Sequence, residues 1–130
     1  MVVKIDGNIE KIVSDPAVTK AFAEIILEAS RFGADRIHIR PDVDATEIKY
    51  EVNSVVRDTR TVHVRYSDLA VIIRHIAHLK KTDEPQESER VRVNILGKHM
   101  EYINLKVSTY PPSEGERILL QLYKTEGLGI

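Results

Sequence analysis

The chain has 130 residues, of which 42% are hydrophobic and 30% charged, and its formal net charge is −1. This length suits one domain with a real core, and the composition is typical of globular rather than disordered chains. The net charge excludes a global field that would hold nucleic acid or an anionic membrane, although a local basic patch remains open. Cysteine is absent, which excludes disulfides, thiolate metal sites and a cysteine nucleophile, and fits a cytoplasmic protein.

The first predicted helix follows a weakly patterned lead-in segment, residues 1–14. Asp15 and Pro16 are typical of a helix start, with Asp as the N-cap and Pro at the first helical position. Apolar periodicity predicts a helix over residues 15–32, ended by Gly33 in the left-handed conformation. The apolar face of this helix comprises Val18, Ala21, Phe22, Ile25 and Ala29.

Alternating polar and apolar residues predict two or three strands next. The first covers residues 36–40 and is expected to stop at Pro41, and the second covers residues 47–52. Asn53-Ser54 is a predicted two-residue hairpin turn into short β-prone runs over residues 55–64.

A second helix and three more strands complete the chain. Ser67-Asp68 is predicted to cap the helix, whose apolar stripe extends over residues 69–79. Residues 82–89 are polar and predict an exposed loop. Gly97-Lys98 predicts a hairpin turn between the next two strands, and a Pro/Gly loop at residues 110–115 precedes the last strand.

This order of elements predicts an α+β domain over residues 15–123, with a mostly antiparallel sheet and two main helices packed on it. Residues 124–130 contain two glycines and are predicted to be a linker or frayed end. No apolar run approaches the ~20 residues of a membrane span, so direct membrane insertion is not expected.

Candidate catalytic and metal-binding residues are sparse. His75 and His78 are three residues apart on the second helix, but no third ligand accompanies them, so a solvated helix surface is the preferred interpretation. Ser108 and Thr109 lack a nucleophile elbow and predict a strand-edge feature. The chain has no phosphate-binding loop, because Gly127-Leu128-Gly129 is not followed by Lys-Ser/Thr. We therefore predict no metal site, no catalytic residues and no independent ATP hydrolysis.

Basic residues recur on the strand positions opposite the apolar ones. If the strands are neighbours, these residues form a basic stripe suited to phosphate or an acidic protein surface. Glu47, Glu51 and Glu101 interleave with them, and cross-strand neutralisation on a solvated sheet face is the preferred interpretation. The basic residues are Arg36, Arg40, Lys49, Arg90, Arg92 and Lys106.

Three stretches, in order, carry a family resemblance: GADRIHIRP at residues 33–41, EIKYEVN at 47–53, and NLKVSTYP at 104–111 with Gly-Glu-Arg at 115–117. Together they resemble the N-terminal domain that precedes the RecA-like motor in type II secretion and type IV pilus assembly ATPases. The resemblance covers about residues 15–123. Its most specific positions are Ser108, Thr109, Pro111, Gly115 and Glu116.

The resemblance implies a PAS-like α+β domain that packs on the motor domain of a neighbouring subunit in a hexameric ring. The implied partners are a RecA-like ATPase motor domain, of the same or a neighbouring subunit, and other secretion or pilus machinery proteins. The implied location is cytoplasmic, peripheral to the inner membrane through partners. No cofactor is expected on this domain alone, and ATP is expected at its rim in a full assembly.

The resemblance also assigns candidate nucleotide contacts. Lys106 stands at the family's ATP-facing basic position, and Arg90 and Arg117 are weaker candidates. Gln121 stands where the family has a second arginine, so that charge is lost. Arg36 is basic where the family usually has an acidic residue.

The expected function is therefore a non-catalytic regulatory and protein-interaction domain of such an ATPase, docking on a motor domain and coupling its conformational changes. The alternative is a free-standing PAS-like ligand-sensing or adaptor domain. Nucleic-acid binding through the basic stripe is the least favoured interpretation, given the net charge of −1.

Overall fold

The computed structural model describes residues 3–5, 8–9, 16–96 and 100–123. The helices are α1 (Pro16–Phe32) and α2 (Tyr66–Ala77), with a short 3₁₀ helix at Pro112–Glu114. The strands are β1 (Val3–Ile5), β2 (Asn8–Ile9), β3 (Arg36–Asp42), β4 (Ala45–Val52), β5 (Val55–Val62), β6 (Gln86–Glu87), β7 (Val91–Leu96), β8 (Met100–Tyr110) and β9 (Arg117–Tyr123).

The described strands form one sheet in the order β2-β1-β7-β8-β9-β3-β4-β5, and β6 pairs with β8. Every described pairing is antiparallel. The last strand, β9, pairs with β3, and Leu120 of β9 lies opposite Ile37 of β3. The predicted α+β class with a mostly antiparallel sheet is confirmed.

Both helices bury their apolar faces against the sheet. Contacts join α1 to β4, α2 to β3 and β8, and the two helices to each other. Phe22 of α1 and Ile73 of α2 are 1% exposed, and both belong to the same buried cluster as the inward residues of the sheet. The alternation read from the sequence therefore marks a genuine core face. Among the described residues, no helix is long and apolar enough to span a bilayer.

The end of α1 agrees with its sequence pattern. Gly33 has φ +68°, the left-handed conformation that glycine adopts without steric cost. Its N–H donates to the Ser30 carbonyl at 3.2 Å, and the Ala34 N–H donates to the Ala29 carbonyl at 2.8 Å. These bonds satisfy carbonyls at the helix end. The predicted N-cap, Asp15, lies outside the described residues.

The predicted cap of α2 is wrong. The helix begins at Tyr66, and Arg65 is the N-cap residue, without a side-chain hydrogen bond. Tyr66 is only 8% exposed, so its burial in the core extends the helix one residue before Ser67-Asp68. Asp68 instead lies in the first turn, where a negative charge favours the helix dipole.

The C-terminal end of α2 also differs from the prediction. His78 has φ +57°, and its N–H donates to the His75 carbonyl at 3.2 Å. The Leu79 N–H donates to the Arg74 carbonyl at 2.9 Å, which completes a Schellman motif. Leu79 therefore packs against the core from beyond the helix end rather than from the helical stripe.

Pro41 does not end β3, which continues to Asp42. The pairing of β3 with β9 ends at Ile39. At Pro41 the strand therefore has β4 as its one paired neighbour, and Pro41 lies opposite Thr46 of β4. A residue without an N–H is tolerated where a strand has one neighbour. The predicted two-residue turn after β4 is confirmed, since Asn53 and Ser54 both have positive φ, +48° and +67°.

Three further predictions fall partly or wholly on undescribed residues. The Gly97-Lys98 turn and the terminal segment 124–130 lie outside the described part of the chain. The lead-in segment is described only at residues 3–5 and 8–9, and β1 there pairs with β7.

Candidate docking face

Lys106 projects from the sheet face that the helices leave uncovered. Its ammonium group forms an ion pair with Glu87, and that bond is the main cause that raises the pKa of Lys106 above its usual value. On the adjacent strand β9, the residue opposite Lys106 is Gln121. The cation that the resemblance implies as a nucleotide contact is therefore already held by a carboxylate of the same chain.

Glu87 reaches Lys106 because the segment predicted as an exposed loop is joined to the sheet. Gln86 lies opposite Thr109, and Glu87 opposite Ser108, in the short pairing of β6 with β8. The prediction of a fully exposed loop over residues 82–89 is wrong at this point. No periodicity marks a two-residue strand, so the sequence carries no hydrophobic signal for it.

Ser88 continues this attachment from a buried position, 5% exposed. Its N–H donates to the Val107 carbonyl at 2.8 Å, and its hydroxyl accepts from the Val107 N–H at 2.9 Å. The same hydroxyl donates to the Glu89 carbonyl at 2.7 Å. Ser88 thus fixes the segment carrying Glu87 against the strand carrying Lys106.

Gln86 ties the same segment to the end of α2. Its side-chain amide donates to the Lys80 carbonyl at 2.5 Å and to the Thr82 hydroxyl at 2.8 Å. Gln86 therefore anchors the connection between α2 and β7.

Two arginines at β7 stack on tyrosines, Arg92 on one of the adjacent strand β8 and Arg90, just before β7, on one of β9, across β8. The Arg90 guanidinium lies 3.8 Å from the ring centroid of Tyr123, and that of Arg92 lies 4.3 Å from the centroid of Tyr102. Such cation–π contacts contribute roughly 0.5–1 kcal/mol each at exposed sites. Neither pair can be predicted from local patterns, because each depends on the order and register of the strands.

These side chains lie on one contiguous part of the sheet. Tyr123 lies opposite Asn104, which is also opposite Arg92, and Lys106 lies opposite Gln121 of the same strand as Tyr123. We refer to this surface of β7, β8 and β9 as the docking face. It comprises Arg90, Arg92, Tyr102, Lys106, Gln121 and Tyr123.

Arg117, the third candidate, lies elsewhere on β9. It is four residues from Gln121, about 13 Å along a strand. Its guanidinium donates to the carbonyls of Glu114 and Gly115 at 2.6 and 2.8 Å, and it lies 3.8 Å from the ring centroid of Tyr110. Arg117 therefore fixes the Pro/Gly loop, and the structure does not bring it together with Lys106.

The other signature residues hold the same loop and strand end. Thr109 and Pro111 are buried, and Ser108 is half-buried. Gly115 has φ +76°, a conformation that side chains rarely adopt. Burial and, to a smaller extent, the charge of the exposed Glu116 raise the pKa of Tyr66 to about 12.

On β3 and β4 the basic stripe is neutralised. Arg36 and His38 both contact Glu51, with N–O distances of 3.8 and 3.1 Å, and Lys49 lies 3.7 Å from Glu47. The preferred interpretation, a mixed-charge face, is confirmed for these strands. Arg40 lies opposite Glu47 in the register, and the side chain of Glu101 lies outside the described residues.

The two histidines of α2, His75 and His78, are exposed at the helix end. Across the described part of the chain, no group of three His, Asp or Glu side chains could hold a metal ion. A groove of about 270 Å³ adjoins the docking face. Its lining includes Asp35, Tyr102, Leu122 and Tyr123.

Comparison with known proteins agrees with the resemblance. The family model described as "Type II/IV secretion system protein" matches residues 11–129. A "Type II secretion system ATPase E" from Vibrio cholerae serotype O1 (strain ATCC 39315 / El Tor Inaba N16961) is 29% identical over 111 residues, covering 83% of this chain. The chain spans only about a fifth (21%) of the length of that relative. With this match over most of its length, the chain belongs to the type II/IV secretion system protein family.

Proposed function

We propose that this chain is a non-catalytic docking domain of a type II secretion or type IV pilus ATPase, which packs on a RecA-like motor domain through the docking face and couples its movements. The observation that carries the proposal is the stacking of Arg90 on Tyr123 and of Arg92 on Tyr102. Arginine and tyrosine are enriched at protein interfaces and at their energetic hot spots.

The stacking also lowers the cost of binding. A free arginine side chain loses rotamer entropy when an interface orders it, roughly 0.5–1.5 kcal/mol for a rotamer-rich side chain. Arg90 and Arg92 are already held against rings, so less of this entropy remains to be lost. A pre-ordered pair of guanidinium groups suits a carboxylate-bearing protein surface, where each can form two parallel hydrogen bonds.

The same face is poorly suited to holding nucleotide by itself. Lys106 is paired with Glu87, and its neighbour Gln121 carries no charge. Binding a phosphate there requires Lys106 to exchange one anionic partner for another. We therefore propose that this domain contacts ATP only at its rim and only within an assembly. Lys106 is the best candidate for that contact, and Arg90 is a weaker one.

Ligand sensing is the second candidate, and the groove beside Tyr102 and Tyr123 is the observation in its favour. Its volume of about 270 Å³ falls just below the range of roughly 300–1,000 Å³ that is typical of small-molecule sites. It lies between the C-terminal end of α1, at Ser30 and Gly33, and the strand positions Ile103 and Leu122. Docking therefore explains more of the surface than sensing does.

Calorimetric titration separates the two functions. We expect the chain to bind the RecA-like motor domain of a secretion or pilus ATPase from the same organism, and to give no heat with ATP or with cyclic dinucleotides alone. Adding ATP to the mixture should change the affinity by less than about threefold, because one paired lysine supplies the nucleotide contact. Clear binding of a nucleotide by the isolated chain, without binding of the motor, would favour the sensor.

A further inference from the structure

One edge of the sheet is formed by β5, which pairs with β4 on one side and with no other described strand. Its eight residues, VVRDTRTV, include three valines and two threonines, which are strong β formers. The strand contains no proline and no lysine, two residues that commonly protect exposed edges. Val55 and Val56 are about half exposed, at 51% and 48%.

A bulge limits the regular part of this edge. Tyr50 lies opposite Asp58 and Glu51 lies opposite Val56, so Arg57 has no residue opposite it on β4. A bulge bends and twists its strand. The edge is therefore regular from residue 58 to residue 62, and any pairing with it is short.

Side chains of the regular part alternate between the two faces of the sheet. Asp58 and Arg60 lie opposite Tyr50 and Ile48, on the side of the helices. Thr59 lies opposite Lys49, on the uncovered side. The Arg60 Nε donates to the Asp58 carboxylate at 2.8 Å, and the other side of the guanidinium pairs with Glu28 of α1, so the edge displays one cation beside Asp58 with a second carboxylate behind it.

We propose that β5 pairs antiparallel with β5 of a second copy of this chain, around a twofold axis at Thr59. In such a dimer the sheets of the two copies join into one continuous sheet, with the helices of both copies on the same side. Residues paired across the two β5 strands must then point to the same face. Because side chains alternate between faces, this holds only when the twofold axis passes through a residue and not between two residues. An axis at Asp58 or Arg60 would place two like charges opposite each other, which is unfavourable. An axis at Thr59 places Asp58 of each copy opposite Arg60 of the other.

The same arrangement covers apolar surface on the helix side. The ring of Phe32 is 40% exposed and lies beside Arg60, whose guanidinium is 5.6 Å from the ring centroid. With a strand spacing of about 4.8 Å, the β4 strands of the two copies lie roughly 14 Å apart. Phe32, which stacks on Tyr50 of β4, is thereby brought toward its counterpart.

This dimer is independent of the proposed docking role. The docking face ends at β9, and β3 and β4 separate it from β5. A small edge contact of this kind belongs to the low end of interface sizes, so we expect a weak, concentration-dependent dimer.

Sedimentation velocity over about 1 to 500 µM tests the proposal through mass action. We expect the unsubstituted chain to shift from monomer to dimer over this range. Thr59→Asp should raise the dimer dissociation constant at least about tenfold, because two carboxylates then face each other on the axis. The fold should tolerate the change, since the new carboxylate lies opposite Lys49.

Thr59→Lys provides the complementary variant. Alone it should also be monomeric, and an equimolar mixture with Thr59→Asp should recover the dimer. Val71→Asp adds the same charge at an exposed position of α2 and should leave the dimer unchanged. A chain that stays monomeric throughout, or a dimer that Thr59→Asp does not weaken, would overturn the proposal.

Discussion

Replacing both Arg90 and Arg92 with glutamate is expected to weaken binding of the chain to its motor domain by at least about a hundredfold, roughly 2.7 kcal/mol. The substitution removes two pre-ordered guanidinium groups from the docking face and reverses their charges. Like charges across an interface are strongly unfavourable, so a partner surface that accepts these arginines should reject glutamate. Calorimetry with the motor domain measures the change.

The fold should survive this double substitution. Both arginines are exposed, and the stacking on Tyr123 and Tyr102 is worth only roughly 0.5–1 kcal/mol per pair. Arg31 and Arg65, two exposed arginines away from the docking face, provide the matched control, with the same change of charge. The account is wrong if the control weakens binding as much, or if the double variant binds within threefold of the unsubstituted chain.

Leu120→Ala is expected to lower the free energy of unfolding by about 2–5 kcal/mol. Leu120 is fully buried and lies between Val107 of β8 and Ile37 of β3, where the two halves of the sheet meet. The loss combines reduced apolar burial with an unfilled cavity, and it is a large share of the roughly 5–15 kcal/mol that stabilise a typical domain. Urea denaturation followed by circular dichroism measures it.

Leu119→Ala is the control for this effect, since Leu119 is the next residue on β9 and is half-buried on the opposite face. Its truncation leaves no closed cavity, so the loss should be under about 1.5 kcal/mol. Equal losses at the two positions would contradict the assignment of the helix-covered face as the core.

The long elements could be predicted because apolar periodicity is a property of the sequence alone. The helix of residues 16–32 buries four of the five residues assigned to its apolar face, with Ala21 only half-buried. The β4 strand buries Ile48 and Tyr50, and Val52 is half-buried. The start of α2 was misplaced because burial of Tyr66 outweighed the capping preference of Ser67. β6 was missed because its attachment uses backbone groups and the Ser88 hydroxyl, which leave no hydrophobic signal.

The candidate site was predictable only in part for the same reason. Resemblance to the family pointed to Lys106 and to the loss of charge at Gln121. The ion pair of Lys106 with Glu87 depends on a two-residue strand. The stacking of Arg90 on Tyr123 depends on the order of the strands in the sheet. Contacts between residues distant in sequence require the register of the sheet, which local patterns do not contain.

Mapping the motor-bound surface by NMR tests the central claim most directly. Unlabelled motor domain is added to the isotope-labelled chain, and cross-saturation identifies the residues at the interface. We predict that the affected residues cluster at Arg90, Arg92, Tyr102, Lys106 and Tyr123, with β5 and the exposed sides of both helices unaffected. Saturation centred on the helices, with the docking face unaffected, would contradict the account.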